Sequence, residues 1–239
     1  TLFAMVPSLL LALALGTLAA RRRNGRPDHL VRAATFVGWA LPPFILALVL
    51  MNVFYAWQGW FPPGRMSVWV GPIIRSEQFR SYTGLLTVDA LLNGNLRIFG
   101  DALRHLVLPA LTLAIAEWAL LTRIMRSSLL EVLGQDYVTT ARAKGLTESQ
   151  IVSLHARPNA ILPLISAGAV VTSLLISGVV IVEVIFNLNG IGRWAAIAIL
   201  QYDMPVAVGF ALFSCVVVVL ASLVADILYG IVDPRVRLY

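Results

Sequence analysis

The sequence predicts an all-α integral membrane protein, and two observations carry that prediction. The chain of 239 residues is 59% hydrophobic and only 13% charged, whereas a soluble domain carries about 25% charged residues. Five stretches are also apolar over about the 20 residues that a helix needs to cross a bilayer core. They lie at residues 2–20, 33–57, 103–126, 158–183 and 204–230. Such runs exceed ordinary strands in length, so helices are expected.

The first stretch holds no charge. The second is uncharged too, and Pro42-Pro43 should kink it. The third carries one acid, Glu117, deep in its sequence, where an ion is costly and marks either a cavity-lining residue or an interhelical hydrogen bond or partner for an arginine elsewhere. The fourth has Pro163 near its start and Glu183 at its end. Its small residues four apart (Gly168 and Thr172, Ser173 and Ser177) suit close helix packing, or a path beside such an interface. The fifth is rich in β-branched residues, with Asp226 near its end. Glu183 and Asp226 read more readily as capped or paired structural acids.

Lysine and arginine set the expected orientation. Arg21, Arg22, Arg23, Arg26 and Arg32 crowd the first short loop. Arg123, Arg126, Arg142, Lys144 and Arg157 follow the third span, and Arg235 and Arg237 close the tail. All of these should be cytoplasmic, with the C-terminus inside. Segment 58–100 and its flank to Arg104 also hold arginines, but long loops weigh less in this rule. That outer loop begins rich in Pro and Gly and shows no periodicity. After the fourth span, residues 189–202 place Ile191, Trp194, Ile197 and Leu200 as an apolar patch, expected to form a short interfacial helix. The sequence starts at Thr1, apolar at once and without the charged n-region of a signal peptide, so the chain is expected to continue upstream.

The net charge of +6 is explained by arginines beside apolar spans rather than by nucleic-acid binding. The single cysteine, Cys215, excludes an internal disulfide and reads as a small apolar packing residue. His29, His105 and His155 are scattered, and no histidine pair lies at i, i+4, so no metal site is readable. No cofactor site is readable either. A G-x-x-x-x-G-K-[ST] phosphate loop is absent, so any ATP would be bound by another subunit. H-E-x-x-H and G-x-S-x-G are absent as well, which weighs against a membrane-embedded enzyme. A passive channel or receptor would explain the spans but not the polar segment between the third and fourth.

That segment, 134–157, is the most informative part of the chain. Residues 137–144 are good helix formers. Gly145 follows at the position where a positive φ is easily adopted. Thr147 with Gln150 has the spacing of a capping box for a second short helix. A helix, a glycine corner and a helix make a protruding elbow. Spacing alone leaves open a bland surface connector.

The run "QDYVTTARAKGLTESQIVSLHARPNAILP" resembles the cytoplasmic loop signature of permease subunits of binding-protein-dependent ABC importers. Its form is similar to the dipeptide/oligopeptide/nickel permease family, first-subunit type. "TRIMRSSLLEVLGQDY", "GWFPPGR", "IVEVIFNLNGIGRWAAIAILQYDMPV" and "LVADILYGIVDPRVR" carry the likeness across essentially the whole chain. Thr139-Thr140-Ala141 stand where the general motif has Glu-Ala-Ala, as is usual in the peptide branch. The resemblance implies a type I ABC importer transmembrane domain, with six spans in full-length members against the five here. It implies a coupling elbow docking on an ATPase subunit through Thr139, Thr140, Ala141, Arg142, Ala143, Lys144, Gly145, Leu146 and Thr147. It also implies a translocation path, for which Glu117, Ser173 and Ser177 are the candidates. The implied partners are a second homologous permease, two ATP-binding subunits that hold ATP and Mg, and an extracytoplasmic substrate-binding protein, in a prokaryotic inner membrane. The implied substrates are di- or oligopeptides. Relatives carrying nickel, glutathione, haem or oligosaccharides leave those alternatives open.

Overall fold

A computed structural model describes residues 2–232, apart from the side chains of Leu2, Ala116, Ser173, Ser177 and Val232. Arg235 and Arg237 lie outside the described residues. Among the described residues there is no strand, and the protein is all-α. The helices are α1 (Leu2–Arg21), α2 (Arg26–Ala40), α3 (Pro43–Met51), α4 (Val70–Ile74), α5 (Leu86–Leu92) and α6 (Leu96–Leu133). They continue as α7 (Asp136–Ala143), α8 (Glu148–Gln150), α9 (Arg157–Ala160), α10 (Leu162–Ile185), α11 (Ile191–Leu200) and α12 (Met204–Val232). Single π-helical turns follow α3 (Asn52–Trp57) and α8 (Ile151–Ala156). Three helices are long and apolar enough to cross a membrane unbroken, and two bent pairs raise the number to five if each pair is one span. The break between α2 and α3 falls at Leu41 and Pro42. There Pro43 lacks an N–H and restricts the residue before it.

Two compact units share the chain. The first comprises Thr1–Pro42, Ala114–Ser177 and Ala211–Tyr239. Here α1 lies close to the second half of α6, because Gly16 has no side chain. A Cβ on Gly16 would stand 2.7 Å from Met125 Cβ and 3.0 Å from the Thr122 carbonyl oxygen. Ala12 and Ala19 on α1 are fully buried, and the Ser8 hydroxyl donates back to the Ala4 carbonyl at 2.7 Å. Thr35 on α2 is buried as well. Arg123 covers the Trp39 ring at 5.0 Å, a cation–π contact.

The second unit comprises Pro43–Leu113 and Gly178–Phe210. Its segment 58–100, read from sequence as an aperiodic loop, instead carries α4, α5 and the start of α6. Val70, Leu86, Ala90, Ile98 and Ala102 form its core, with Met66, Ile74, Phe79 and Phe99 packed against it. Leu86 and Ala90 are one turn apart, and Asn93-Gly94 ends α5. Gly94 has φ 66°, and the Asn95 N–H reaches the Ala90 carbonyl at 2.9 Å, the bond pattern of a glycine-stopped helix. Asp89 organises the preceding turn. Its carboxylate accepts from the Ser81 hydroxyl (2.7 Å), the N–H groups of Tyr82, Thr83 and Gly84, and the Thr83 hydroxyl. Nearby, buried His105 turns Nδ1 toward the Pro63 and Gly64 carbonyls and Nε2 toward Ser67, which itself donates to Asp101.

Four expectations need correction or refinement. Cys215 is exposed rather than packed, on a helix, α12, whose described residues are nearly all exposed or partly exposed. Gly168 makes no close helix contact, and a Cβ there would meet nothing within 4 Å. Thr172 bonds back to the Gly168 carbonyl at 2.9 Å, and both line an apolar groove. Gly192 does make a close helix contact: a Cβ there would stand 2.9 Å from Val180 Cα. Glu183 accepts from the Arg193 N–H at 2.9 Å and so caps the N-terminus of α11. On α11 the patch Ile191, Trp194, Ile197 and Leu200 is exposed, while Gly192, Ala195 and Ala198 are buried.

Candidate functional site

The elbow between α6 and α10 is a built structure rather than a slack connector. Gln135, in extended conformation, precedes α7. Helix α7 ends on Lys144, and Gly145 then takes φ 83°. The Gly145 N–H donates to the Arg142 carbonyl at 2.9 Å and the Leu146 N–H to the Ala141 carbonyl at 3.3 Å. These two bonds are the Schellman pair, which satisfies carbonyls the helix end would leave unpaired. Thr147 starts the next helix with a full capping box: the Gln150 side chain accepts the Thr147 N–H at 3.0 Å while the Thr147 hydroxyl faces the Gln150 N–H. The π-helical turn Ile151–Ala156 follows.

What holds the corner shut is apolar. Val138 and Ile151 are fully buried and, with Ala141, form a small core against which Leu133 and Leu146 pack. The Asn159 amide on α9 donates to the Tyr137 hydroxyl at 3.2 Å, tying the first turn of α7 to the segment that leads into α10. Arg142 reaches across the corner to Glu148, Nε to Oε1 at 2.7 Å. This hydrogen bond holds the Glu148 carboxyl below its ordinary range. Both side chains are largely exposed (42% and 62%), so the pair orients Arg142 more than it stabilises the fold.

The structure sorts the nine predicted contact residues. Thr139, Thr140, Arg142, Ala143, Lys144, Gly145 and Thr147 are exposed, whereas Ala141 is buried and Leu146 partly so. The latter two turn toward the small core on the inner face of the elbow. Arg142 is shared with Glu148 rather than standing free. Sequence reading missed Val138, Ile151 and Glu148. The apolar pair could have been found, since Val138 and Ala141 are one turn apart in an otherwise polar helix.

The path candidates divide differently. Glu117 sits on α6 at 9% exposure, and its Oε2 has no hydrogen-bond partner among the described residues. Thr122 Oγ1 and Trp118 Nε1 on α6, and Thr17 Oγ1 on α1, share that condition. Buried polar atoms without partners are uncommon in native proteins. The side chains of Ser173 and Ser177 lie outside the described residues. Among the described residues no group of three or more His, Cys, Asp or Glu is placed to hold a metal ion.

The chain was compared with known proteins. The family profile described as "binding-protein-dependent transport system inner membrane component" matches residues 12–238. A dipeptide transport system permease protein of Haemophilus influenzae is 37% identical over 235 residues, 98% of this chain and 68% of that protein. A probable D,D-dipeptide transport system permease protein of Escherichia coli is 39% identical over 234 residues, 98% of this chain and 67% of that protein. An oligopeptide transport system permease protein of Bacillus subtilis is 38% identical over 241 residues, 99% of this chain and 69% of that protein. The chain thus spans about two thirds of the length of these relatives.

Proposed function

The chain belongs to the family of inner membrane components of binding-protein-dependent transport systems, and on that premise we propose that it forms part of the membrane path of an ATP-driven peptide importer. It is a multi-pass permease subunit. The relatives described above are named for dipeptides, D,D-dipeptides and oligopeptides, which favours peptides over nickel, glutathione, haem or oligosaccharides.

The observation that carries the mechanism is the elbow. An exposed helix held to its base by a buried core and a glycine corner moves as one piece. A force applied to Thr139, Thr140, Ala143 or Lys144 passes into α6 and α10 rather than being absorbed in a loose loop. In this reading two ATP-binding partner subunits push on the elbow as they close. A second homologous permease completes the path, and an extracytoplasmic binding protein delivers the substrate. The elbow and the C-terminus face the cytoplasm in this reading, which the arginine clusters beside the spans support. Glu117, Ser173 and Ser177 are proposed to border the path, Glu117 because its buried Oε2 is unmatched among the described residues.

The test is uptake of a radiolabelled dipeptide and of a pentapeptide by vesicles holding the assembled importer, with and without ATP. ATP-dependent uptake of either supports the proposal. Uptake of nickel or an oligosaccharide with neither peptide transported would sink the peptide assignment.

A further inference from the structure

The end of α1 opens into a cleft with an unbalanced charge. A cavity of about 810 Å³ is lined by Ala14, Thr17 and Arg21–Arg23 on one side, and by Leu130, Gly134, Arg142, Glu148 and Val152 on the other. Four arginines there face one glutamate, and that glutamate is taken by Arg142. Among the described residues Arg21, Arg22 and Arg23 make no salt bridge, and all three are exposed.

Directly along α1 from this cleft lies a second, apolar groove of about 500 Å³. Its walls come from Leu9, Leu10 and Leu13 on α1, from Leu164, Gly168 and Thr172 on α10, and from one face of α12 between Val217 and Leu228. Along α1 the groove residues, Met5 to Leu13, are followed directly by the cleft residues, Ala14 to Arg21. Leu10, Leu13, Thr17 and Arg21 recur at helical spacing. From Leu10 to Arg21 the helix rises about 16 Å, close to the depth of one leaflet of a bilayer core of about 30 Å. An apolar groove and a cationic cleft that together run about one leaflet along α1 match an amphiphile with an anionic head.

We propose that this surface is a binding site for one anionic phospholipid, its phosphate on Arg21–Arg23 and an acyl chain in the groove between α1, α10 and α12. The charge excess selects an anionic over a zwitterionic head, and the groove selects a lipid over free phosphate. Because Arg142 and Glu148 line the same cleft, the bound head lies against the base of the elbow, and the lipid supports the part that the partner subunits push. The site rests on the membrane placement of α1 and not on the identity of the transported solute.

The test is lipid retention by the assembled importer, counted by native mass spectrometry after exchange into vesicles of phosphatidylcholine and phosphatidylglycerol. Wild type should retain phosphatidylglycerol in preference to phosphatidylcholine. The triple variant R21Q/R22Q/R23Q should lower that retention by about tenfold or more, each juxtamembrane cation contributing to the attraction. Leu13→Trp, which fills the groove and leaves the charge, should lower it as well. R75Q/R80Q, outside the cleft, should not. Equal retention of both lipids would overturn the proposal, as would unchanged phosphatidylglycerol retention in the triple variant or in Leu13→Trp. Release of the lipid by inorganic phosphate at equal concentration would reduce the site to an anion site and overturn the lipid assignment. Loss of the ATP-binding subunits from the triple variant with lipid still bound would assign the arginines to protein docking instead. Failed peptide uptake with lipid retained would count against the peptide assignment and leave this one standing.

Discussion

Arg126 holds the Asp28 carboxylate at two points, Nε to Oδ1 at 2.6 Å and a terminal nitrogen to Oδ2 at 2.8 Å, across 98 residues of sequence. Asp28 is fully buried and also accepts the Asn24 N–H at 2.9 Å. Asn24 itself turns through φ 59° between α1 and α2. One carboxylate therefore fixes the α1–α2 corner to α6, two turns before the elbow. Paired, planar geometry makes this a strong interaction. Its removal leaves a mostly buried guanidinium without its partner. Asp28→Asn should destabilise the importer by about 3 kcal/mol, read as a lower midpoint of thermal unfolding in detergent. An unchanged midpoint would show that the pair only decorates the corner.

Gly145 sits in open space, so its substitution tests backbone conformation and not fit. A β-branched residue at φ 83° carries a cost of about 1–2 kcal/mol or more. Gly145→Val should lose most transport while reaching the membrane in normal amounts. Gly145→Asn, which tolerates this region, should keep most of it. Normal uptake by the valine variant would separate the corner from coupling.

Ile151 carries the same test into the core of the elbow. Truncating a fully buried isoleucine costs about 2–5 kcal/mol in a packed site. Within a core this small, Ile151→Ala should loosen α7 from its base. Amide exchange of residues 137–146 should quicken in this variant while α1 and α12 are unchanged. Equal protection in both proteins would mean that the hydrogen-bonded corner suffices without the apolar contact.

Asp89 predicts a pH response in the outer segment. Burial alone would raise its carboxyl pKa. The Ser81 hydroxyl and the Thr83 and Tyr82 donors outweigh that and hold it at about 2, against an ordinary 3.8. A carboxyl lowered in the folded state adds stability that is complete above its ordinary value and is lost as pH falls through the folded value. Protection of the turn 81–84 from proteolysis should therefore persist at pH 5 and fail between about pH 4 and 2. Asp89→Asn should expose the turn even at neutral pH. A turn equally protected in that variant would show that the carboxylate is not its organiser.

Two neighbouring glycines should respond differently to alanine. At Gly190 a Cβ would collide only with the far end of the Glu183 side chain, which can swing away and give up the Arg193 N–H. At Gly192 it would meet Val180 Cα, which cannot move without its helix. Gly192→Ala should cost about 1–3 kcal/mol, as overpacking does, and Gly190→Ala less. The order of unfolding midpoints checks this, and a reversed order would put the Glu183 cap above the helix contact.

Much of the site was legible because its signals are local. Gly145 marked the corner, Thr147 and Gln150 the next helix start, and Pro42-Pro43 the break in the second span. These follow from backbone geometry within a few residues. Segment 58–100 was not legible as a folded unit, although Asn93-Gly94 carried a readable helix stop. Its short helices are stable only because Ile98 and Ala102, on α6, close the core around Val70, Leu86 and Ala90.

The sequence by itself determined the membrane class, the number of apolar stretches and the elbow. Apolar length, proline, glycine and capping spacing act on adjacent residues whatever the rest of the chain does. Only the tertiary structure decided that Asp28 belongs to Arg126, that Ala141 and Leu146 face inward, and that Arg21–Arg23 border a cleft whose one lining acid, Glu148, is bonded to Arg142. A charge or a packing partner is chosen by distance in space, and residues 98 apart in the chain are brought within 3 Å only by the fold.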